Sequence, residues 1–206
     1  MRILLVNPNT TRSMTDKAAA AARAVAAPLT EIVAATSEMG PASIEGHYDG
    51  ALALPGLLDQ IRRGEAAGAD AVVICCFDDT GLDAARAMAS VPVLGLCESA
   101  LATAGFLARR FTVVTTLERS RVLIEDLANR YGAGQRAKVR AADIPVLQLE
   151  EKGSGALGRL RSEIERALAE DGAEAIVLGC AGMADLAREL QKHYGVPVVD
   201  GVSAAV

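Results

Sequence analysis

The sequence predicts an α/β fold of two pseudo-symmetric lobes, each a parallel sheet flanked by helices, with the functional site in the cleft between them. Three observations carry this. Apolar runs of strand length alternate with amphipathic segments of helical period, the pattern of βαβ units. Several of those runs are apolar throughout, as strands covered on both faces are. The chain also repeats itself, because "GADAVVICC" at 68–76 aligns with "GAEAIVLGC" at 172–180. Two lobes, 1–104 and 105–206, built alike, are the economical account of that repeat.

The elements follow in order. "RILLV" (2–6) opens the first lobe and stops at Asn7-Pro8, and "EIVAA" (31–35), "AVVICC" (71–76) and "PVLGL" (92–96) supply its other strands. The second lobe reads "FTVVTT" (111–116), "KVRAADI" (138–144), "AIVLGC" (175–180) and "VPVVD" (196–200). Between strands lie helical segments such as "GALGRLRSEIERALAEDG", where Leu157, Leu160, Ile164 and Leu168 recur at spacings of three and four. The repeat extends through "LDAARAM" against "ADLAREL" and "VPVLG" against "VPVVD". Upstream, "RFTVVTT" resembles "RILLVNP", and Arg119-Ser120 falls where Arg12-Ser13 does. No low-complexity linker divides the halves, so the join is expected within "ALATAGFLARR".

Composition narrows the function. A chain of 206 residues, 51% hydrophobic and 23% charged, can bury a real core. A net charge of -5, with three Phe, three Tyr and no Trp, gives no footprint for nucleic acid or for an anionic membrane surface. The N-terminal apolar run is too short for a signal peptide, and no run approaches the roughly 18 to 20 residues that span a bilayer. A cytoplasmic protein is therefore expected, with Cys75, Cys76, Cys97 and Cys180 as thiols. They lack the paired C-x-x-C spacing of a structural zinc site, and no metal is expected.

Cys97, and Cys75 by alternation along its strand, read as small buried hydrophobes. Cys76 and Cys180 are different, since the repeat pairs them 104 residues apart. Each is expected as the last residue of a strand just before a helix, where open parallel sheets bind ligands. Two thiols facing one space suit the inversion of a stereocentre next to a carbonyl, in which one group removes a proton from one face and another delivers a proton to the opposite face. Asp78 and Asp79 are expected to cap the following helix or to accept hydrogen bonds from substrate N–H groups. A competing reading makes the two thiols a regulatory disulfide of a redox sensor or binding protein.

Other signals weigh less. "GSGALG" (153–158) matches a dinucleotide fingerprint, yet "LEEK" separates it from the apolar run "IPVL". Nothing in the sequence brings His47 to either cysteine, and His193 sits at a helix end. In "NPNTT", Asn7 reads equally as a turn and cap residue or as a ligand contact.

The segments "NPNTT", "GPASIEGHYDGALALPGLL", "CFDDTGLDAAR", "TTLERS" and "LGCAGM" resemble those of the hydantoin racemases, within the aspartate/glutamate/hydantoin racemase superfamily. The resemblance covers essentially the whole chain. It implies a pair of α/β lobes, no cofactor, and catalytic cysteines that map onto Cys76 and Cys180. It further implies substrate contacts from Phe77, Asp78, Ala181 and Gly182, with Asn9, Ser43, Ile44, Thr115 and Thr116 from neighbouring loops. The expected substrate is a small cyclic ureide, a 5-monosubstituted hydantoin, with allantoin as the alternative, and a homo-oligomer is expected. The amino-acid racemases resemble Cys-Asn-Thr and Cys-Thr-His at these places. Cys76-Phe77-Asp78 and Cys180-Ala181-Gly182 therefore argue for a neutral ring. Backbone N–H groups after each cysteine, at expected helix N-termini, are candidate donors to the enolate oxygen. Family members continue past "DGVSAAV" into a final helix, for which Ser203 is placed as a cap.

Overall fold

The computed structural model describes residues 1–151 and 153–206, so Lys152 of "LEEK" lies outside the described residues. The first lobe runs β1 (Arg2–Asn7), α1 (Arg12–Val25), β2 (Glu31–Thr36), α2 (His47–Ala66), β3 (Ala71–Ile74), α3 (Leu82–Met88), β4 (Val93–Gly95) and α4 (Leu96–Leu107). The second runs β5 (Phe111–Thr115), α5 (Glu118–Arg130), β6 (Ala137–Ala141), a 3-10 helix (Val146–Leu149), α6 (Ala156–Glu170) and β7 (Ala175–Gly179). It ends with a second 3-10 helix (Ala181–Leu186), α7 (Ala187–Tyr194), β8 (Val198–Asp200) and α8 (Gly201–Ala205). The boundary expected at 104/105 falls inside α4, which packs on β7, β8 and α8 of the other lobe.

Both sheets are parallel and have the same order, β2-β1-β3-β4 and β6-β5-β7-β8. In each, the connections leave the first strand in opposite directions, so β1/β3 and β5/β7 are the switch points, and a crevice opens beyond their C-terminal ends. Side-chain alternation divides the core into three. Ile3, Leu5, Val73 and Cys75 join Phe111, Val113 and Val177 in one inner core shared by the lobes, filled by α1, α4, α5 and α8. The alternate residues Leu4, Val6, Val72 and Ile74 pack outward against Leu57 and Ile61 of α2. Val114, Ile176 and Leu178 pack outward against Leu160 and Ile164 of α6. Strands with both faces covered are why the runs read as unbroken apolar sequence.

All eight expected strands form, with different ends. The Cys75 amide still bonds Val6 O at 2.8 Å, but the Cys76 amide turns back onto Ile74 O at 2.9 Å, so Cys76 has left the ladder. It is not the last residue of β3, and no helix follows it directly: five residues, 77–81, intervene before α3. Cys180 also stands one residue past its strand and enters a 3-10 helix, with α7 beginning only at Ala187. On α6 the buried face is Ala156, Leu160, Ile164 and Ala167, whereas Leu157 is exposed. "GSGALG" forms the turn into α6, with Gly153 and Gly155 at positive φ. The cap of α8 is Asp200, whose Oδ1 accepts the Ser203 amide at 2.8 Å; Ser203 receives the cap and does not provide it.

Candidate active site

Beyond the C-terminal ends of β1, β3, β5 and β7 lies a small cavity of about 30 Å³, and both Cys76 and Cys180 line it. It has room for only a water or two. Around the thiols stand Asn9, Ile44, Phe77, Asp78, Thr116, Ala181 and Gly182, so most of the substrate contacts carried over by resemblance converge here. Three expected contacts do not. The Thr115 hydroxyl donates to Gly179 O at 3.0 Å and locks β5 to the end of β7. Ser43 lies outside the cavity wall although its neighbour Ile44 is in it. Asp79 turns away to do other work.

That work is capping, at a helix other than the expected one. Asp79 Oδ1 accepts the Cys97 amide at 2.9 Å and Oδ2 the Glu98 amide at 3.0 Å, in the first turn of α4. Oδ2 also accepts the Tyr131 hydroxyl at 2.8 Å. Such close approach requires Gly95 at the start of α4, since a Cβ there would lie 2.4 Å from Asp79 Cγ. Asp79 itself has φ 47°, the left-handed region that Asp tolerates better than most residues. The second lobe solves the same problem differently. Its equivalent helix, α8, is capped by Asp200 at the place of Gly95, and Met183 stands where Asp79 would be.

The cysteines sit in matching turns. The Cys76 carbonyl accepts the Asp79 amide at 3.1 Å, and the Cys180 carbonyl accepts the Met183 amide at 3.1 Å. The backbone N–H two residues on, of Asp78 and of Gly182 respectively, lies near each sulfur and favours its charged form. Burial, and then the Asp78 charge, push the Cys76 thiol well up. Burial pushes Cys180 up to about 12, with Asp78 and Glu150 adding to the rise and the Gly182 amide and Lys17 opposing it. Asp78 is itself pushed up to about 7, by burial and then by the Asp79 charge. Both thiols are thus protonated in the resting site at neutral pH.

Asn9 offers a donor. Its Oδ1 accepts from Asn7 Nδ2 at 2.9 Å and from the Thr11 amide at 2.9 Å, which fixes the orientation of the side chain. Its Nδ2 meets, among the described residues, only the Met14 sulfur at 3.4 Å, a weak acceptor. Asn7 also bonds Thr15 Oγ1 at 3.0 Å, so it is the organiser of this loop. Sequence reasoning did not single out Met14, Ser120 or Val146, which also line the cavity. Ser120 had a signal, since it is the repeat partner of Ser13.

Contacts between the two lobes lie beside the cavity, whose wall includes Ile44 and Val146. Glu45 accepts the Val146 amide at 2.9 Å and pairs with Arg119, while Lys17 lies 2.8 Å from Glu150 and donates to Leu149 O at 3.2 Å. Another cleft, of about 650 Å³, runs along the β6 edge past Arg140. Asp171, Glu163 and Glu170 already satisfy that guanidinium, and neither cysteine is near. Among the described residues, no three His, Cys, Asp or Glu side chains converge as a metal set, and no helix is long and apolar enough to cross a membrane. His47 faces an outer groove, and His193 packs edge-on against Tyr194.

A family model described as Asp/Glu/Hydantoin racemase matches residues 3–206. A hydantoin racemase of Rhizobium meliloti is 55% identical over 207 aligned residues, covering 100% of this chain and 86% of that one. Among solved structures, the allantoin racemase from Klebsiella pneumoniae superposes with a TM-score of 0.97 at 50% identity, covering 100% of this chain and 84% of that one. The allantoin racemase of Pseudomonas fluorescens gives 0.92 at 42% identity, covering 100% and 87%.

Proposed function

The chain belongs to the Asp/Glu/hydantoin racemase family, and from that premise we propose that it racemises 5-monosubstituted hydantoins, using Cys76 and Cys180 as the two bases and no cofactor. The observation that carries this reading is that two thiols, paired by an internal repeat and one from each half, line one small cavity.

In a 5-monosubstituted hydantoin, C5 lies between a ring nitrogen and the C4 carbonyl, so loss of its proton leaves a planar enolate. One cysteine, as thiolate, takes the C5 proton: its S–H bond forms as C5–H breaks, and the electron pair passes to the enolate. The other, as thiol, returns its own proton to the opposite face and becomes the thiolate, so the roles exchange in the reverse direction. Asn9 Nδ2 is the donor suited to the developing oxyanion, because its present partner is only a thioether. Asp78 is suited to accept a ring N–H. Asp79, bound to α4 and Tyr131, has no part in substrate binding here. A cavity of about 30 Å³ is far too small for the ring, so binding requires the Glu45–Val146 and Lys17–Glu150 contacts to part.

The test is loss of optical rotation from an L-hydantoin with no added cofactor; unchanged rotation above the enzyme-free rate contradicts the reading. The likeness to allantoin racemases supports a second substrate, the ureido-substituted hydantoin allantoin, by the same chemistry. A panel of alkyl hydantoins, aryl hydantoins and allantoin ranks the two. A cytoplasmic homo-oligomer belongs to the same proposal, and exposed Phe106 and Leu107 at the end of α4 offer apolar surface for self-association, which sedimentation velocity tests.

A further inference from the structure

The two sulfur environments match through the backbone and then diverge. Four residues after Cys76, Thr80 Oγ1 donates to Cys76 Sγ at 3.4 Å; four residues after Cys180 the chain has Ala184, which carries no donor. Thr80 is 9% exposed. Its side chain packs over Gly50 of α2, where an added Cβ would lie 3.6 Å from Thr80 Cγ2. A β-branched side chain held this way has little rotamer freedom, so the hydroxyl stays aimed at the sulfur.

We propose that Thr80 is a positioning residue for Cys76: its hydroxyl holds and stabilises the thiolate form of that sulfur through a bond that Cys180 lacks. A hydroxyl bonded to a neutral thiol contributes little, whereas the same bond to a thiolate is charge-assisted. The bond therefore strengthens when Cys76 carries the charge and weakens when the charge has moved to Cys180. Charged groups also distinguish the two sulfurs, but without a side-chain hydrogen bond to either. Asp78 raises both thiols; Glu150 raises and Lys17 lowers Cys180 alone. Thr80 is the one side-chain hydrogen-bond donor on either sulfur among the described residues. The inference rests on the two-thiol reading of the site but concerns sulfur ionisation, which can be measured without a substrate.

The experiment follows iodoacetamide alkylation of Cys76 and Cys180 in the same sample of the full chain, from pH 6 to 10, with each modified peptide quantified by mass spectrometry. Opening of the cavity admits the reagent to both sulfurs, so Cys180 is an internal reference. In Thr80→Val, Cys76 should alkylate roughly tenfold more slowly at a given pH, an upward displacement of about one pH unit, as loss of one hydrogen bond to a charged group implies. Cys180 should keep its profile, and Thr80→Ser should restore that of Cys76. Thr80→Ala serves as a second donorless variant should valine pack badly. A Cys76 profile unchanged in both donorless variants, an equal displacement of both cysteines, or failure of serine to rescue would overturn the proposal. If Cys76 moves as expected while no hydantoin is racemised, the substrate assignment fails and the role of Thr80 stands; racemisation with an unmoved profile gives the converse.

Discussion

The Tyr131 hydroxyl donates a 2.8 Å hydrogen bond to Asp79 Oδ2, tying the end of α5 in the second lobe to the loop that carries Cys76 in the first. The same carboxylate caps α4, so one side chain three residues from Cys76 fixes the loop, a helix terminus and the opposite lobe.

Removing that carboxylate should therefore be a stability event. Asp79→Ala leaves two helix amides and a half-buried phenol without their acceptor and should cost about 2–4 kcal/mol, whereas Tyr131→Phe should cost about 1 kcal/mol. Urea denaturation of the two variants measures both. A stable Asp79→Ala protein with a raised KM would mean that the carboxylate serves substrate after all.

Activity should rise with pH. Burial holds both thiols above their ordinary range, so the thiolate fraction, and with it kcat/KM, should climb from pH 7 to 9. The Asp78 charge raises both thiols, so Asp78→Asn should move the climb to lower pH, even if the lost substrate contact lowers its height. A displacement to higher pH would show that Asp78 does not act on the thiols through its charge.

Reagents should discriminate among the four cysteines. Activity should survive EDTA and fall with iodoacetamide, with substrate protecting Cys76 and Cys180 together. Cys97 lies in the shared core and should react only on unfolding, whereas Cys75, buried in that core but also bordering the cavity, should react far more slowly than Cys76 and Cys180. Inactivation through Cys75 or Cys97 alone would contradict the site assignment.

Closure should be adjustable from Glu45. Glu45→Ala removes the acceptor for the Val146 amide and the partner of Arg119, so Cys76 and Cys180 of the free protein should alkylate several-fold faster at fixed pH. Equal rates would show that these contacts do not limit access.

The sequence reveals most of this fold and about half of the reasons for its site. Strands covered on both faces leave unbroken apolar runs, so β1, β3, β5 and β7 are legible directly. The repeat pairs Cys76 with Cys180, and parallel topology then brings both to the crevice. Destinations of polar side chains are not legible, because their partners are remote in the chain. Asp79 finds its acceptor role at Cys97 and Tyr131, and only the absence of a side chain at Gly95 lets it reach α4. Thr115 and Thr116 are adjacent and equivalent in sequence, yet the first turns to Gly179 O and the second faces the cavity. The helix expected directly after Cys76 is delayed because the Cys76 amide bonds Ile74 O, a local turn that hydrophobic periodicity does not register.

The central claim is that Cys76 and Cys180 address opposite faces of C5. Replacing either with serine should lower racemisation by at least about 10²–10⁴, the contribution of one general acid or base. The surviving thiol still faces one side of the ring and can remove and return a proton there. In D₂O, with enzyme-free controls for spontaneous exchange, Cys76→Ser should therefore exchange the C5 hydrogen of one enantiomer and Cys180→Ser that of the other, each with retained configuration. Exchange of the same enantiomer by both variants would contradict the account.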